Sequence, residues 1–386
     1  MFIYRLELKK LLSSAAVWGF LAVCLLFNLF TIGHSVDEYA DDVGAASEQT
    51  GVVLDPSFYE KLSQMTASGD RASQHLERLK AETDGVTDVF DGYETRNIGE
   101  RYIAAAGTTG YFAEAMRDKY AALQKVVDEK ARNDESLTLY FAGATYSRHQ
   151  FLFNTLLGWL LTEAALVAVL LALLSVGYEH IFRTGHIVYS TKKGRAVLRP
   201  KLAASLSAGL GAYALLALLT LLVYFGVNEY GDVWRSSVSS LFNYRVDLIA
   251  GNRPFVTWYS FSVLTYLLAM LAAGAGVVLC FSLLAFGMGI WIRNSYIAFL
   301  VFLAAHAVCI AVPVQMPSTW PMGPAVKYSV VLSPVWLWLK HGLWFTDGDL
   351  DILWAHFETI GLFVSLVVLA AFCLFSALCF RKRNLA

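Results

Sequence analysis

The chain has 386 residues, of which 57% are hydrophobic and 16% charged, with a mean hydropathy of +0.52 and a formal net charge of −1. That balance is too apolar for a water-soluble protein of this length, so a membrane protein is expected and no nucleic-acid partner.

Taken in chain order, the first element is the amphipathic opening Arg5-Leu6-Glu7-Leu8-Lys9-Lys10-Leu11, followed by an apolar run over 15–32. The run has no small-residue cleavage pattern after it, which predicts a retained anchor rather than a signal peptide. Further runs long enough to cross a hydrocarbon core of ~30 Å follow at 152–176, 202–227, 261–290, 297–314 and 360–380, giving six predicted spans.

Residues 34–150, between the first two spans, carry 21 of the 31 acidic and 12 of the 30 basic side chains, so the rest of the chain is net positive. Asp55-Pro56 reads as a helix cap and first-turn pair. From there Phe58, Leu62, Met65, Gly69, Ala72, Leu76 and Leu79 recur at spacings of four and three. Such a seam predicts an antiparallel helix pair with the stripe Phe112, Met116, Tyr120, Leu123 and Val127, the connection broken by Gly85, Gly92, Gly99, Gly107 and Gly110. The stripe is read as the core of this acidic helical domain.

Glu163 lies inside the second predicted span, where an ionisable group is a candidate marker of a substrate pathway. If that span begins near Gly158, the carboxyl lies only ~8 Å below the interface and can reach water. Between spans two and three runs a basic, glycine-punctuated loop, from Glu179-His180-Ile181-Phe182-Arg183-Thr184-Gly185 to Ser190-Thr191-Lys192-Lys193-Gly194-Arg195. Span four carries small residues four apart, Ala272 with Gly276 and Ala285 with Gly289, a pattern of close helix packing. His306 in span five is expected to be a hydrogen-bonded packing residue. Five of the eight prolines crowd between spans five and six with Trp320, Trp336, Trp338, Trp344 and Trp354, which suggests a re-entrant segment at about 315–356; an ordinary interfacial loop with an aromatic belt is the alternative.

Basic residues mark the side that does not translocate. Arg5, Lys9 and Lys10, the loop bases, Arg199, Lys201, Arg293 and the Arg381-Lys382-Arg383 cluster fall on one side, which predicts cytoplasmic N and C termini and an extracellular 34–150 domain. Cys24, Cys280, Cys309, Cys373 and Cys379 all fall in predicted spans, so no disulfide framework and no metal site is expected. There is no GxxxxGK[ST], HExxH, GxSxG or strand-associated GxGxxG, so no catalytic residues are assigned, and a transport function would draw its energy from elsewhere.

The run from Glu179 through Thr184-Gly185, Ser190-Thr191 and Lys192-Lys193-Gly194-Arg195 to Lys201 resembles the first cytoplasmic loop of ABC-2 family permeases. The turn Gly289-Ile290-Trp291-Ile292-Arg293-Asn294-Ser295 and the opening Arg5 to Leu11 resemble other parts of the same family, in the same order, over 1–33 and 151–386. The resemblance implies an all-α membrane subunit of an ABC exporter, with residues 1–33 as elbow and first span. It implies a coupling helix in the 178–201 loop, where Glu179, Arg183, Thr184, Gly185, Ser190, Thr191, Lys192, Lys193, Gly194 and Arg195 would meet a separate ABC ATPase subunit. It also implies a second, identical or sister, permease copy. ATP would be bound by the ATPase and no cofactor by this chain. The expected setting is the cell membrane of a bacterium and the cargo a lipophilic or amphipathic drug, peptide or lipid. The competing reading from the residues is a membrane-anchored receptor or sensor, with an acidic ligand-binding domain and a basic docking loop.

Overall fold

A computed structural model describes residues 2–190, 194–292, 294–316 and 320–382, and it is mostly helical. Helix α1 (Phe2–Leu12) leads into α2 (Ala15–Gly33). A polar stretch then holds α3 (Glu38–Thr50), α4 (Pro56–Gln64), α5 (Asp70–Thr83), α6 (Arg96–Ala106) and α7 (Tyr111–Arg132). Helix α8 (Thr145–His149), a π-helical stretch (Gln150–Leu156) and α9 (Leu157–Ile181) form one continuous rod, 36 residues long from Tyr146 to Ile181. Beyond it come α10 (Gly185–Ser190), α11 (Leu198–Val227), the hairpin β1 (Tyr244–Asp247) and β2 (Gly251–Pro254), α12 (Val263–Trp291), α13 (Ser295–Gln315), α14 (Gly323–Val330), α15 (Pro334–Leu339) and α16 (Phe357–Lys382).

Among the described residues six helices are long and apolar enough to cross a membrane: α2, the α8–α9 rod, α11, α12, α13 and α16. Their bounds enclose five of the six runs expected from sequence, and the fourth helix begins at Val263, two residues inside its expected run, because uninterrupted apolar length is a local property. The centre of the bundle is α12 against α9, α11 and α16. Small residues permit the approach: a Cβ on Gly276 would lie 3.1 Å from the Leu362 side chain of α16, and one on Gly289 3.4 Å from Leu173 and Val176 of α9. His306 bonds the Phe302 carbonyl at 2.7 Å and packs on the Phe281 and Phe302 rings, a packing residue as expected.

The polar stretch departs from the expected helix pair. Asp55 does cap α4, accepting from Phe58 N at 2.9 Å with Pro56 in the first turn. The seam then breaks: Met65 is extended and Gly69 sits at φ +99°, so Phe58 and Leu62 belong to α4 and Leu76 and Leu79 to a separate α5. Both short helices pack on α3, while Met116, Tyr120, Leu123 and Val127 of α7 lie in a different apolar cluster shared with α6. Gly85, Gly92, Gly107 and Gly110 take positive φ in turns, but Gly99 is inside α6. A Cβ there would fall 2.9 Å from the Tyr120 ring, so this glycine serves close packing rather than a break.

Residues 34–150 are also not alone. The segments 228–262 and 345–356 leave the same end of the bundle and interleave with them. Arg148, 3% exposed, donates to Asp41 at 2.9 Å, to the Asp37 carbonyl at 3.0 Å and to the Glu229 carbonyl at 3.2 Å. Gly44 of α3 lies against the same segment, where an added Cβ would stand 2.5 Å from Glu229 O. Gly44→Ala is therefore expected to destabilise the chain by ~1–3 kcal/mol through overpacking against backbone, read as a lower thermal midpoint of the detergent-purified chain. An unchanged midpoint would mean the two segments do not touch.

Candidate functional site

The loop singled out by sequence springs from a buried charge cluster at the end of the bundle opposite the polar segments. Three helices supply it: Glu7 and Lys10 from α1, Glu179 from the last turns of α9, and Lys201 from the first turn of α11. Lys201 is fully buried and ion-pairs with Glu179; its Nζ also donates to the Ser175 carbonyl at 2.5 Å and stands 3.8 Å from Glu7. Lys10 Nζ lies 2.8 Å from Glu7 and 3.8 Å from Glu179. Two bases thus balance two acids, the condition under which charge can be buried at all. The amphipathic α1 is fastened across the base of the loop, its Leu11 buried among the helices.

From this base α9 stops abruptly. Thr184 N bonds Glu179 O at 2.9 Å and Arg183 N bonds His180 O at 3.2 Å, the paired bonds of a Schellman stop. The left-handed residue such a stop needs is Arg183, at φ +54°, where glycine is usual; the side chain costs about 1 kcal/mol. Gly185 opens α10, so only three residues separate the end of α9 from the next helix. Tyr189 of α10 packs on Phe380 of α16, with ring centroids 5.3 Å apart, and its phenol is held well above the ordinary range by burial and then by Glu179 and Glu7. Ile181, Phe182 and Ile187 are instead 52%, 60% and 70% exposed, an apolar surface beside the exposed Arg183.

Of the sequence-selected residues, Glu179, Arg183, Thr184 and Gly185 are brought together at this stop. Ser190 closes α10, and Gly194 and Arg195 open a 3-10 turn, Gly194–Val197, that leads into α11. Thr191, Lys192 and Lys193 lie outside the described residues. Glu179 is 2% exposed, so it anchors the loop from beneath rather than presenting a surface. Lys201 and Glu7 complete the cluster; sequence placed one just before the third span and the other in the amphipathic opening, and nothing in the spacing of either segment announced that they meet.

Glu163 is far from that cluster. Its Oε2 accepts from Asn28 Nδ2 of α2 at 2.8 Å, and the same amide nitrogen donates to Thr220 Oγ1 of α11 at 3.1 Å. Above it an open cleft of about 370 Å³ lies between α9 and α15, lined by Asn154, Gly158, Trp159, Thr162, Trp338 and His341 among others. Trp338 Nε1 donates to Thr162 Oγ1 at 2.9 Å and Trp336 Nε1 to Cys309 O at 2.9 Å, so the proline-rich region folds into short helices seated against α9 and α13.

Comparison with family models, with curated proteins and with solved structures returned no match. Among the described residues no group of three or more His, Cys, Asp or Glu side chains is placed to hold a metal ion.

Proposed function

We propose that this chain is the permease subunit of an ABC-type exporter, moving a lipophilic or amphipathic cargo with ATP hydrolysed by a separate subunit. In this reading the N and C termini and the 178–201 loop are cytoplasmic, the polar segments 34–150, 228–262 and 345–356 are extracellular, and a second permease copy completes the pathway.

The observation that carries the reading is the mounting of α10. A six-residue helix hangs between two long apolar helices, off a four-charge cluster whose Glu7, Glu179 and Lys201 are buried and which also fastens α1. A lever needs such a mount: force applied to α10 passes to α9 and α11 through Glu179 and Lys201 instead of dissipating in a flexible loop. The bases at 183, 192, 193 and 195 suit an acidic partner surface. The order of motifs resembling ABC-2 permeases agrees with this.

The test is reversal of Lys192, Lys193 and Arg195 to glutamate. At ~1 kcal/mol per exposed charge pair, association with the ATPase is expected to weaken by about a hundredfold, with transport lost and insertion intact. Undiminished transport, or co-purification with a kinase or transcriptional regulator in place of an ATPase, would overturn the proposal in favour of a receptor.

A further inference from the structure

The contact around Glu163 contains an unfilled hydrogen-bond acceptor. Asn28 is 1% exposed, the one buried polar side chain of α2, and both hydrogens of its amide nitrogen are engaged, one by Glu163 and one by Thr220. Its Oδ1 is buried and, among the described residues, receives no donor. Glu163 is 8% exposed, and among the described residues no cation pairs with it. The group lies about 8 Å from the α2 terminus Gly33, at ~1.5 Å per residue, and so within the apolar length of three membrane-crossing helices.

A carboxylate there would be a buried, uncompensated charge, whereas the neutral acid carries no such cost. Ionised, Glu163 can only accept, and Asn28 Oδ1 stays empty; protonated, it gains one O–H donor. A carboxylic acid and a primary amide pair through two parallel bonds, amide N–H to acid oxygen and acid O–H to amide oxygen. The first of these is already in place, and the second is the one the orphaned Oδ1 lacks.

We propose that Glu163, Asn28 and Thr220 form a proton-binding site between α2, α9 and α11, in which one proton on the Glu163 carboxyl is donated to Asn28 Oδ1 and clamps the first span to the second and third. Release of that proton to water leaves a carboxylate and an empty amide oxygen facing each other, and α2 loosens. Of the titratable groups on the elements packed here, Cys24, one turn before Asn28, is the one that faces the carboxyl. Lys201 lies at the other end of α11, and Lys340, beyond α15, is engaged by Asp349 and Asp351. The inference holds whatever the chain transports.

Infrared difference spectroscopy on the purified full chain in lipid nanodiscs tests it. The expected result is a carbonyl-stretch band of one protonated carboxyl per chain at neutral pH, lost on alkalinisation and missing from Glu163→Gln. That variant, which mimics the neutral acid, should match the wild-type thermal midpoint at neutral pH and lie above it at alkaline pH, where only the wild type loses the clamping proton. Asn28→Ala gives a second reading: removing the hydrogen-bond partner should move the band to higher frequency. An identical spectrum in Glu163→Gln, or an unshifted band in Asn28→Ala, overturns the proposal. So does a missing band with a sodium-dependent rise in midpoint, which would assign these oxygens to a metal cation.

Discussion

Replacing Lys201 with methionine should remove ~3–5 kcal/mol of stability, enough to leave little folded chain in detergent. The side chain is fully buried between Glu179 and Glu7, and without it those two acids remain with only Lys10, which stands 2.8 Å from Glu7 but 3.8 Å from Glu179. The uncompensated charge, rather than the lost attraction, sets the size of the effect. Pairing the change with Glu179→Gln should therefore restore most of the loss. A double-mutant cycle on thermal midpoints measures this: additive losses would show that Lys201 and Glu179 act separately, whereas strong coupling is expected for a buried contact. The folded double variant is also informative about the lever. With α1, α9 and α11 no longer tied by charge, it should insert normally and transport poorly.

What could be read beforehand divides along the line between local and distant causes. Each apolar run is its own evidence, so six helices follow from composition over windows of about twenty residues. The Asp55-Pro56 helix start is local too. The seam from Phe58 to Leu79 misled because its spacing continues across Met65 to Gly69, where the backbone does not: a hydrophobic period says which side chains share a face only while the helix persists. The polar end of the molecule was least legible, since its core is assembled from three segments. Arg253 meets Asp347, and Lys119 meets the carbonyls of Asp347 and Ile352, across separations of 94, 228 and 233 positions. Nothing in the spacing of one segment announces its partner in another. Asn28 was legible in principle, a lone amide in an apolar run, but its meaning required Glu163 and Thr220 beside it.

That distant assembly sets the alkaline behaviour of the polar segments. Lys119 of α7 is buried with both of its strongest bonds to backbone carbonyls, at 2.9 Å to Asp347 O and 2.7 Å to Ile352 O. Burial lowers its pKa to about 8, against the opposing pull of Asp347. Asp347, which burial would raise, is instead held below the usual carboxylate range by Arg253, Arg245 and Lys119, with Arg253 Nη1 at 2.6 Å. Tyr102 and Tyr120, beside the same acids, are raised by burial above their ordinary value of 10.0.

The signs then follow. Between about 8 and 10.5 an unfolded chain keeps its proton on Lys119 while the folded chain has released it, so stability rises with pH, by up to ~3 kcal/mol if the window were crossed in full. Above 10.0 the unfolded chain ionises the two tyrosines while the folded chain keeps them neutral, so stability falls again. The thermal midpoint of the full chain should therefore climb above pH 8 and turn over near pH 10. Lys119→Met should flatten the climb and leave the fall. Asp347→Ala should do more, costing ~3–5 kcal/mol at neutral pH because it leaves the buried Arg253 and Arg245 with only Asp247 between them. A midpoint that declines steadily from pH 8 even in Glu163→Gln would mean that Lys119 reaches water and that the three segments do not close over it.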